Sequence, residues 1–425
     1  MLTTMDEVLG FIHSTSWMGI DPGLSRIEEL MGLLGNPEKK LKFIHIAGTN
    51  GKGSTAAMLA SVLTEAGYKT GLYTSPQIQH FGERMQVNGV PIPDDDLIKI
   101  TNQVHAQIKT QKDPTTVFET ITAIALLYFY QQNCEIVVLE VGMGGRLDAT
   151  NVIPTPEIAV ITSIGLDHME FLGDKVEKIA GEKAGIIKKN SIVICHPQHT
   201  SVEQVIREKC REQTASCTFV DENEIKLIET TLDGQQFDFG EASRLAIPLL
   251  GKHQLRNAAV AFTVIETLRE RGWEISDTAL KTGFKKTTWP GRFEVMKKSP
   301  VFIVDGAHNA EGIQSAADNL SEMFPGKKPI FIFGVLRDKD YEKMIEILTP
   351  LAERFIIITP PDSRALPSEE LAEILKQRGL NATPCSTIAQ GVNLALEISG
   401  TEDIICALGS LTTVGELRNL THPTQ

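Results

Sequence analysis

Phe43-Ile-His-Ile-Ala47, running into Gly48-Thr-Asn-Gly-Lys-Gly-Ser54, is the stretch that decides the fold. Its first five residues form a short apolar run, as expected of a strand buried on both faces of a parallel sheet. Glycines then let the chain turn tightly, and a helical run follows from Lys52 to Ala66. A strand, a glycine-rich turn and a helix in that order bring backbone N–H groups and a helix N-terminus around an anion. Lys52 is placed to reach the β- and γ-phosphates of a nucleotide, with Asn50, Gly51, Gly53 and Ser54 completing the cradle. The match to the generic phosphate loop is incomplete. Ile46 stands where its first glycine would be, and Gly53 replaces the hydroxyl residue that holds magnesium. That hydroxyl is expected from Ser54 or from elsewhere in the chain. A glycine turn that only caps a helix is the bland alternative, and the lysine with three glycines behind a buried strand outweighs it.

Outward from this stretch the pattern repeats. Ile136-Val-Val-Leu-Glu140 and Ile158-Ala-Val-Ile-Thr162 read as two more buried strands, each ending in a polar or glycine-rich loop. Ligands of open α/β sheets bind at those carboxyl ends. From Val301 onward a second set begins, Val301–Val304, Ile330–Phe333, Phe355–Ile358 and Ile404–Ala407, separated by segments of helix length. The fold class is therefore α/β. A P-loop-type, mainly parallel sheet is expected in an N-terminal domain, residues 1–298, with a smaller α/β domain at 299–425. The polar stretch Lys297-Lys298-Ser299-Pro300 marks the expected boundary.

Composition narrows the class. A chain of 425 residues is too long for one ordinary core. Its 42% hydrophobic and 22% charged content are those of a soluble globular protein. A net charge of −13 argues against a broad nucleic-acid surface, but leaves room for anionic small ligands in a locally positive pocket. The six cysteines form no CxxC pair or zinc pattern, so reduced thiols in a cytoplasmic protein are expected. The N-terminus lacks the features of an export signal. The longest apolar run, Ile121–Tyr130, is well short of the roughly 20 residues of a membrane span. Neither nucleic acid nor membrane is an expected partner, and a monomer acting on small molecules is.

Two side chains stand out at strand ends. Glu140 closes an otherwise apolar strand, where an ionised carboxylate is costly unless paired or bound to metal. His168 follows the next strand. Alone it reads as a hydrogen-bonded loop histidine, but beside Glu140 and the phosphate loop metal ligation is the better reading. Lys183, in Ile179-Ala-Gly-Glu-Lys-Ala-Gly-Ile186, reads on its own as a helix-face lysine in a salt bridge.

Gly48–Ser54 resembles the ATP loop of the folylpolyglutamate synthase / dihydrofolate synthase branch of the Mur ligase family. The likeness continues through Tyr73-Thr-Ser-Pro76, Glu83-Arg84, Phe118-Glu119, Glu140-Val-Gly-Met-Gly-Gly145 and Asp148-Ala-Thr-Asn151. It runs on through Asp167-His168, Glu182-Lys-Ala-Gly185, Gly251-Lys-His-Gln254 with Asn257, Trp289-Pro-Gly-Arg292, Asp305-Gly-Ala-His-Asn309 and Gly409-Ser410. It is nearly end to end, with the motifs in the family's order.

The resemblance implies an ATP-dependent ligase that joins L-glutamate to a folate or to dihydropteroate through an acyl phosphate, with Mg2+. It implies Mg2+ ligation by Ser75, Glu140 and His168, and a carbamylated Lys183 as a further ligand. Asn257 would meet the adenine, Arg292 the phosphates from the edge of the first domain, and Asp305 the ribose with His308 nearby. ATP would lie in the cleft between the domains. Lys52, Lys183, Arg292 and His308 are the implied catalytic set. Phe118, Glu119, Leu147 and Asp148 are the implied pterin-side contacts, and Ser75–Val90 the family's mobile loop. Gln77 departs from the pattern, since many relatives carry histidine or an apolar residue there. Leu411-Thr412 departs too, where an aromatic often stands after the leucine. Two rivals remain in view: another Mur-type amide ligase acting on a cell-wall precursor, and a P-loop switch without ligase chemistry. Gly53 and Phe118-Glu119 argue against the first, and Arg292, Asp305 and the second domain against the other.

Overall fold

A computed structural model of the chain describes residues 1–14 and 23–421. The chain divides into two compact units. The first comprises Met1–Ile225, Phe239–Glu241 and Arg256–Thr287; the second comprises Lys226–Asp238, Ala242–Leu255 and Thr288–Gln425.

Eight strands form the sheet of the first unit. They are β1 (Phe43–Ala47), β2 (Thr70–Tyr73), β3 (Met85–Val87), β4 (Val90–Pro91), β5 (Ile136–Glu140), β6 (Ile158–Ile161), β7 (Ile192–Cys195) and β8 (Ser216–Phe219). Their order is β4-β3-β2-β5-β1-β6-β7-β8. Strands β2, β5, β1, β6, β7 and β8 run parallel, while β3 and β4 add an antiparallel edge. The central four, β2, β5, β1 and β6, are buried along their whole length, which is why they read as unbroken apolar runs rather than alternating ones. Helix Lys52–Glu65 follows β1 and packs on β2 and β5. The apolar run Ile121–Tyr130 lies in helix Val117–Gln131, a buried core helix. Among the described residues no helix is long and apolar enough to cross a membrane.

Three strands, β9 (Ile225–Thr231), β10 (Gly234–Phe239) and β11 (Ala242–Ile247), form a small sheet that groups mainly with the second unit. That unit's principal sheet has six strands: β12 (Glu294–Lys298), β13 (Val301–Val304), β14 (Ile330–Phe333), β15 (Arg354–Ile357), β16 (Ala382–Pro384) and β17 (Ile404–Leu408). The order is β12-β13-β17-β14-β15-β16, parallel except for β12.

The boundary expected at 298/299 is corrected by this topology. β12 pairs antiparallel with β13, with Lys298 opposite Val301, so Ser299-Pro300 is a hairpin turn inside the second unit. Turns and linkers draw on the same polar and proline-rich composition, so sequence alone does not separate them. Arg292, read as the edge of the first domain, belongs to the second unit for the same reason.

Candidate active site

Four neighbouring parallel strands of the first unit, β2-β5-β1-β6, deliver four candidate groups at their carboxyl ends. Ser75 follows β2, Glu140 ends β5, the Gly48–Ser54 loop follows β1, and His168 lies beyond β6. This is where an open α/β sheet assembles its ligand groups.

The glycine-rich loop after β1 is tied to its neighbour strand. Thr49 and Asn50 N–H both reach the Ser163 carbonyl, at 2.7 and 3.3 Å, and Thr49 Oγ1 donates to Gly165 O at 3.1 Å. Gly51 has φ +88°, and a Cβ there would stand 2.5 Å from Asn257 Oδ1. Backbone conformation and close approach both demand glycine. Asn257, buried on helix Lys252–Glu270, is thereby pressed against the loop. Lys52 Nζ donates to the Gly48 and Thr49 carbonyls, at 3.0 and 3.2 Å. Gly53 and Ser54 lie in the first turn of helix Lys52–Glu65, and both are buried.

Lys183 is brought to the same atom. Its ammonium donates to the Gly48 carbonyl at 2.7 Å, and the residue is only 4% exposed. Burial, reinforced by the nearby Lys52 cation, pushes its pKa down to about 7. A lysine so placed holds a large neutral-amine fraction at physiological pH. The turn that carries it docks on the loop after β5, where Arg146 N–H donates to Glu182 O at 2.8 Å. Gly145 permits this contact, since a Cβ would lie 2.8 Å from Glu182 O and 2.9 Å from Lys183 O. The helix-face salt bridge that a lone lysine suggests is absent among the described residues. The tertiary fold turns Lys183 inward instead.

Glu140 is 4% exposed, and its Oε2 accepts the Ser75 N–H at 3.2 Å. His168 has a left-handed backbone (φ +50°), and its imidazole lies 3.9 Å from the Asp167 carboxylate in an exposed position. Among the described residues no group of three or more His, Cys, Asp or Glu side chains is arranged to hold a metal. A magnesium ion held mainly by nucleotide phosphates and water needs only one or two protein oxygens. Glu140, a buried carboxylate at a strand end beside Ser75, fits that limited demand.

Beside these groups the first unit opens a cavity of about 630 Å3. Phe118, Glu119, Leu147, Asp148, Ser75 and His168 all line it. The structure therefore brings the implied pterin-side residues and two implied metal ligands to one hollow. The two carboxylates among them, however, are turned to structural work. Glu119 accepts from Arg26 Nε at 3.0 Å and from Thr116 N–H at 2.7 Å, closing the capping box of helix Val117–Gln131. Asp148 accepts from Met143 N–H at 2.9 Å and from Thr150 N–H and Oγ1 at 3.0 and 2.5 Å, and burial raises its pKa. Behind it Thr150 Oγ1 meets His45 Nε2 at 2.9 Å; His45, wholly buried, has its pKa pushed down to about 3 and stays neutral. The segment Ser75–Val90 folds around Glu83, whose carboxylate accepts from Ile78, Gln79 and His80 N–H at 2.9–3.1 Å.

In the second unit Asp305 follows β13. Its two oxygens accept from Ala307 N–H at 2.8 Å and Phe293 N–H at 3.2 Å. Burial lifts its pKa to about 6, a rise opposed by the neighbouring Arg292. His308 Nδ1 contacts the Gly306 carbonyl at 2.8 Å. Asp305 thus ties the Arg292 turn to the 305–308 turn.

Sequence reading missed Arg26, Arg146 and Phe171, which support or line the cavity, and gave Arg84 no role. Nothing in the local pattern of Arg26 signals a partner 93 residues away.

Residues 46–265 match the family model for the Mur ligase middle domain, and residues 291–411 the one for the Mur ligase glutamate ligase domain. The chain belongs to the Mur ligase family. It is 37% identical to the dihydrofolate synthase/folylpolyglutamate synthase of Bacillus subtilis, over 98% of this chain and 99% of that one. With the folylpolyglutamate synthase of Lacticaseibacillus casei the identity is 35%, over 85% and 87%. Folylpolyglutamate synthase of Mycobacterium tuberculosis, solved in complex with ADP, superposes with a TM-score of 0.90 at 31% identity, over 98% of each chain. These likenesses place it in the folylpolyglutamate synthase / dihydrofolate synthase branch.

Proposed function

We propose that this chain is an ATP-dependent acid–amino-acid ligase that joins L-glutamate to the carboxylate of a folate, with dihydropteroate as a second acceptor. The observation that carries the reading is the convergence of a phosphate loop, a buried strand-end carboxylate and an apolar cavity at the ends of four adjacent strands. Its chemistry follows from the residues. Phe118 and Leu147 offer apolar walls to the flat ring system of the acceptor. One oxygen of the acceptor carboxylate attacks the γ-phosphorus of ATP, and the bond to the β-phosphate oxygen breaks to release ADP. Lys52, which rests on the Gly48 and Thr49 carbonyls, swings to the phosphates to offset the negative charge gathering there. Arg292 adds a second cation in this reading, Asn257 meets the adenine, Asp305 accepts from the ribose hydroxyls, and His308 serves beside it. The amine of glutamate then attacks the acyl carbon, phosphate leaves with the bonding pair, and the ammonium proton passes to solvent.

Mg2+, held by Glu140, Ser75 and His168, would supply charge neutralisation for the phosphates. Lys183, whose burial leaves a large neutral-amine fraction at physiological pH, can add carbon dioxide at Nζ and lose a proton, becoming an anionic carbamate suited to a magnesium ion. The experiment is direct. ATP turnover and product masses are measured with tetrahydrofolate and with dihydropteroate, each with and without glutamate. Glutamate-dependent ATP consumption yielding acceptors one glutamyl residue heavier supports the reading; turnover indifferent to any folate acceptor overturns it.

A further inference from the structure

Arg84 is the one cation lining the cavity whose charge is not matched by a carboxylate in salt-bridge contact among the described residues. Arg146, the other lining arginine, pairs with Glu182 at 2.9 Å. The lining carboxylates Glu119 and Asp148 are already taken by Arg26 and by the Asp148 loop. Arg84 Nε donates to Gln77 Oε1, and its guanidinium lies over the Phe81 ring with the centroid 5.6 Å away. Among the described residues Nη1 and Nη2 hold no hydrogen bond. The guanidinium is largely desolvated, which works against its charge, and among nearby carboxylates Glu140 offsets this only in part. A desolvated cation with its two-pronged edge open is a site for a planar anion, and a carboxylate is the planar anion that fits it bidentately.

We propose that Arg84, oriented by Gln77, binds the spectator carboxylate of the acceptor's terminal glutamate, the one that is not being ligated. This rests on the folate-ligase reading and deepens it. Such a tail ends in two carboxylates, and they have opposite needs. The reacting one must give its electrons to phosphorus, and a guanidinium clamped on both its oxygens would blunt it. The spectator has no such duty, so a bidentate clamp anchors the tail at no cost to nucleophilicity. Gln77 locks Nε and so aims the Nη edge; a histidine there, or an apolar side chain, would hold the same guanidinium differently or not at all. Arg84 is thus a specificity-determining residue for acceptors that already carry glutamate.

The test compares tetrahydrofolate monoglutamate with its analogue in which only the spectator carboxylate is a carboxamide. Wild-type enzyme, Arg84→Gln, Arg84→Lys and Gln77→Ala are assayed with both, after thermal melting establishes that each variant is folded. Wild type should show a KM about 10–100-fold higher for the amide, the loss expected of a charge-assisted pair. Arg84→Gln should raise the KM for the acid by a similar factor, leave the amide within about threefold, and change kcat little. Arg84→Lys, which keeps the charge but not the fork, should fall between, and Gln77→Ala should raise only the acid's KM. The proposal is overturned if wild type is indifferent to the amide, if Arg84→Gln keeps the wild-type acid-to-amide ratio, or if kcat collapses for both acceptors alike. A wild type that turns over neither acceptor would instead sink the ligase reading on which the proposal stands.

Discussion

The turn after β1 in the first unit and the turn after β13 in the second are built by opposite electrostatic means. At the first, a backbone carbonyl gathers cations: Gly48 O receives both the Lys52 and the Lys183 ammonium, at 3.0 and 2.7 Å. At the second, a buried carboxylate gathers N–H groups: Asp305 accepts from Phe293 and Ala307 with Arg292 nearby. Both turns end a buried parallel strand. The difference lies in what each offers a ligand. A cation such as Lys52, held on weak carbonyl acceptors, can be surrendered to phosphate oxygens. A carboxylate held by its own backbone can still accept from a hydroxyl. One strand-end device, with its charges exchanged, thereby offers cations to an anionic group in one turn and an acceptor to a hydroxyl-bearing group in the other.

The comparison breaks first at Lys52. Lys52→Ala should lower ligase turnover by about a thousandfold while leaving the melting temperature near wild type. Near-normal turnover in a folded variant would show that the first turn does not serve phosphate. Lys183→Ala should cost about a hundredfold, with partial recovery on adding short-chain carboxylates. Labelled carbon dioxide should give wild-type protein a carbamate carbonyl signal in 13C NMR. That signal should strengthen as pH rises through about 7, where the amine loses its proton, and should be missing in the variant. Its absence from wild-type protein would leave Lys183 as a cation partner of Gly48.

In the second unit the expected effects are smaller. Asp305→Asn should weaken nucleotide binding by about 1–3 kcal/mol, read by calorimetric titration. Unchanged binding would remove Asp305 from the nucleotide. The same variant tests the burial of the carboxylate. Its pKa is raised from 3.8 to about 6, so the folded state holds the proton more tightly than the unfolded one. Its stabilising contribution is complete below about pH 4 and is lost as pH rises through 6. Asp305→Asn should flatten that part of the stability profile. A profile identical to wild type would mean that the carboxylate is more solvated than its surroundings indicate.

Much of this was legible in residue order. Strands 43–47, 136–140 and 301–304 lie where their apolar runs place them, because a strand buried on both faces announces itself in composition. The boundary did not, because Lys297–Pro300 has the composition of a turn as much as of a linker and only the pairing of β12 with β13 decides between them. Glu119 and Asp148 were identifiable as polar residues in the right motifs. That both spend their oxygens within the fold depends on Arg26 and Thr116 in one case and on Met143 and Thr150 in the other.

By itself, then, the sequence determined the α/β class, the glycine-rich turn between β1 and its helix, and the ligase branch, since each rests on local pattern: apolar runs, glycine spacing and the order of motifs along the chain. Tertiary structure alone decided which charges are free. Lys183 turns inward because Gly145 lets two loops meet, and Arg146 is neutralised by Glu182. Arg84 keeps its open edge because Gln77 takes only Nε and, among the described residues, no carboxylate stands in salt-bridge contact with the guanidinium. Whether a charge is matched depends on neighbours far off in the sequence, and on how much water the surrounding fold leaves them.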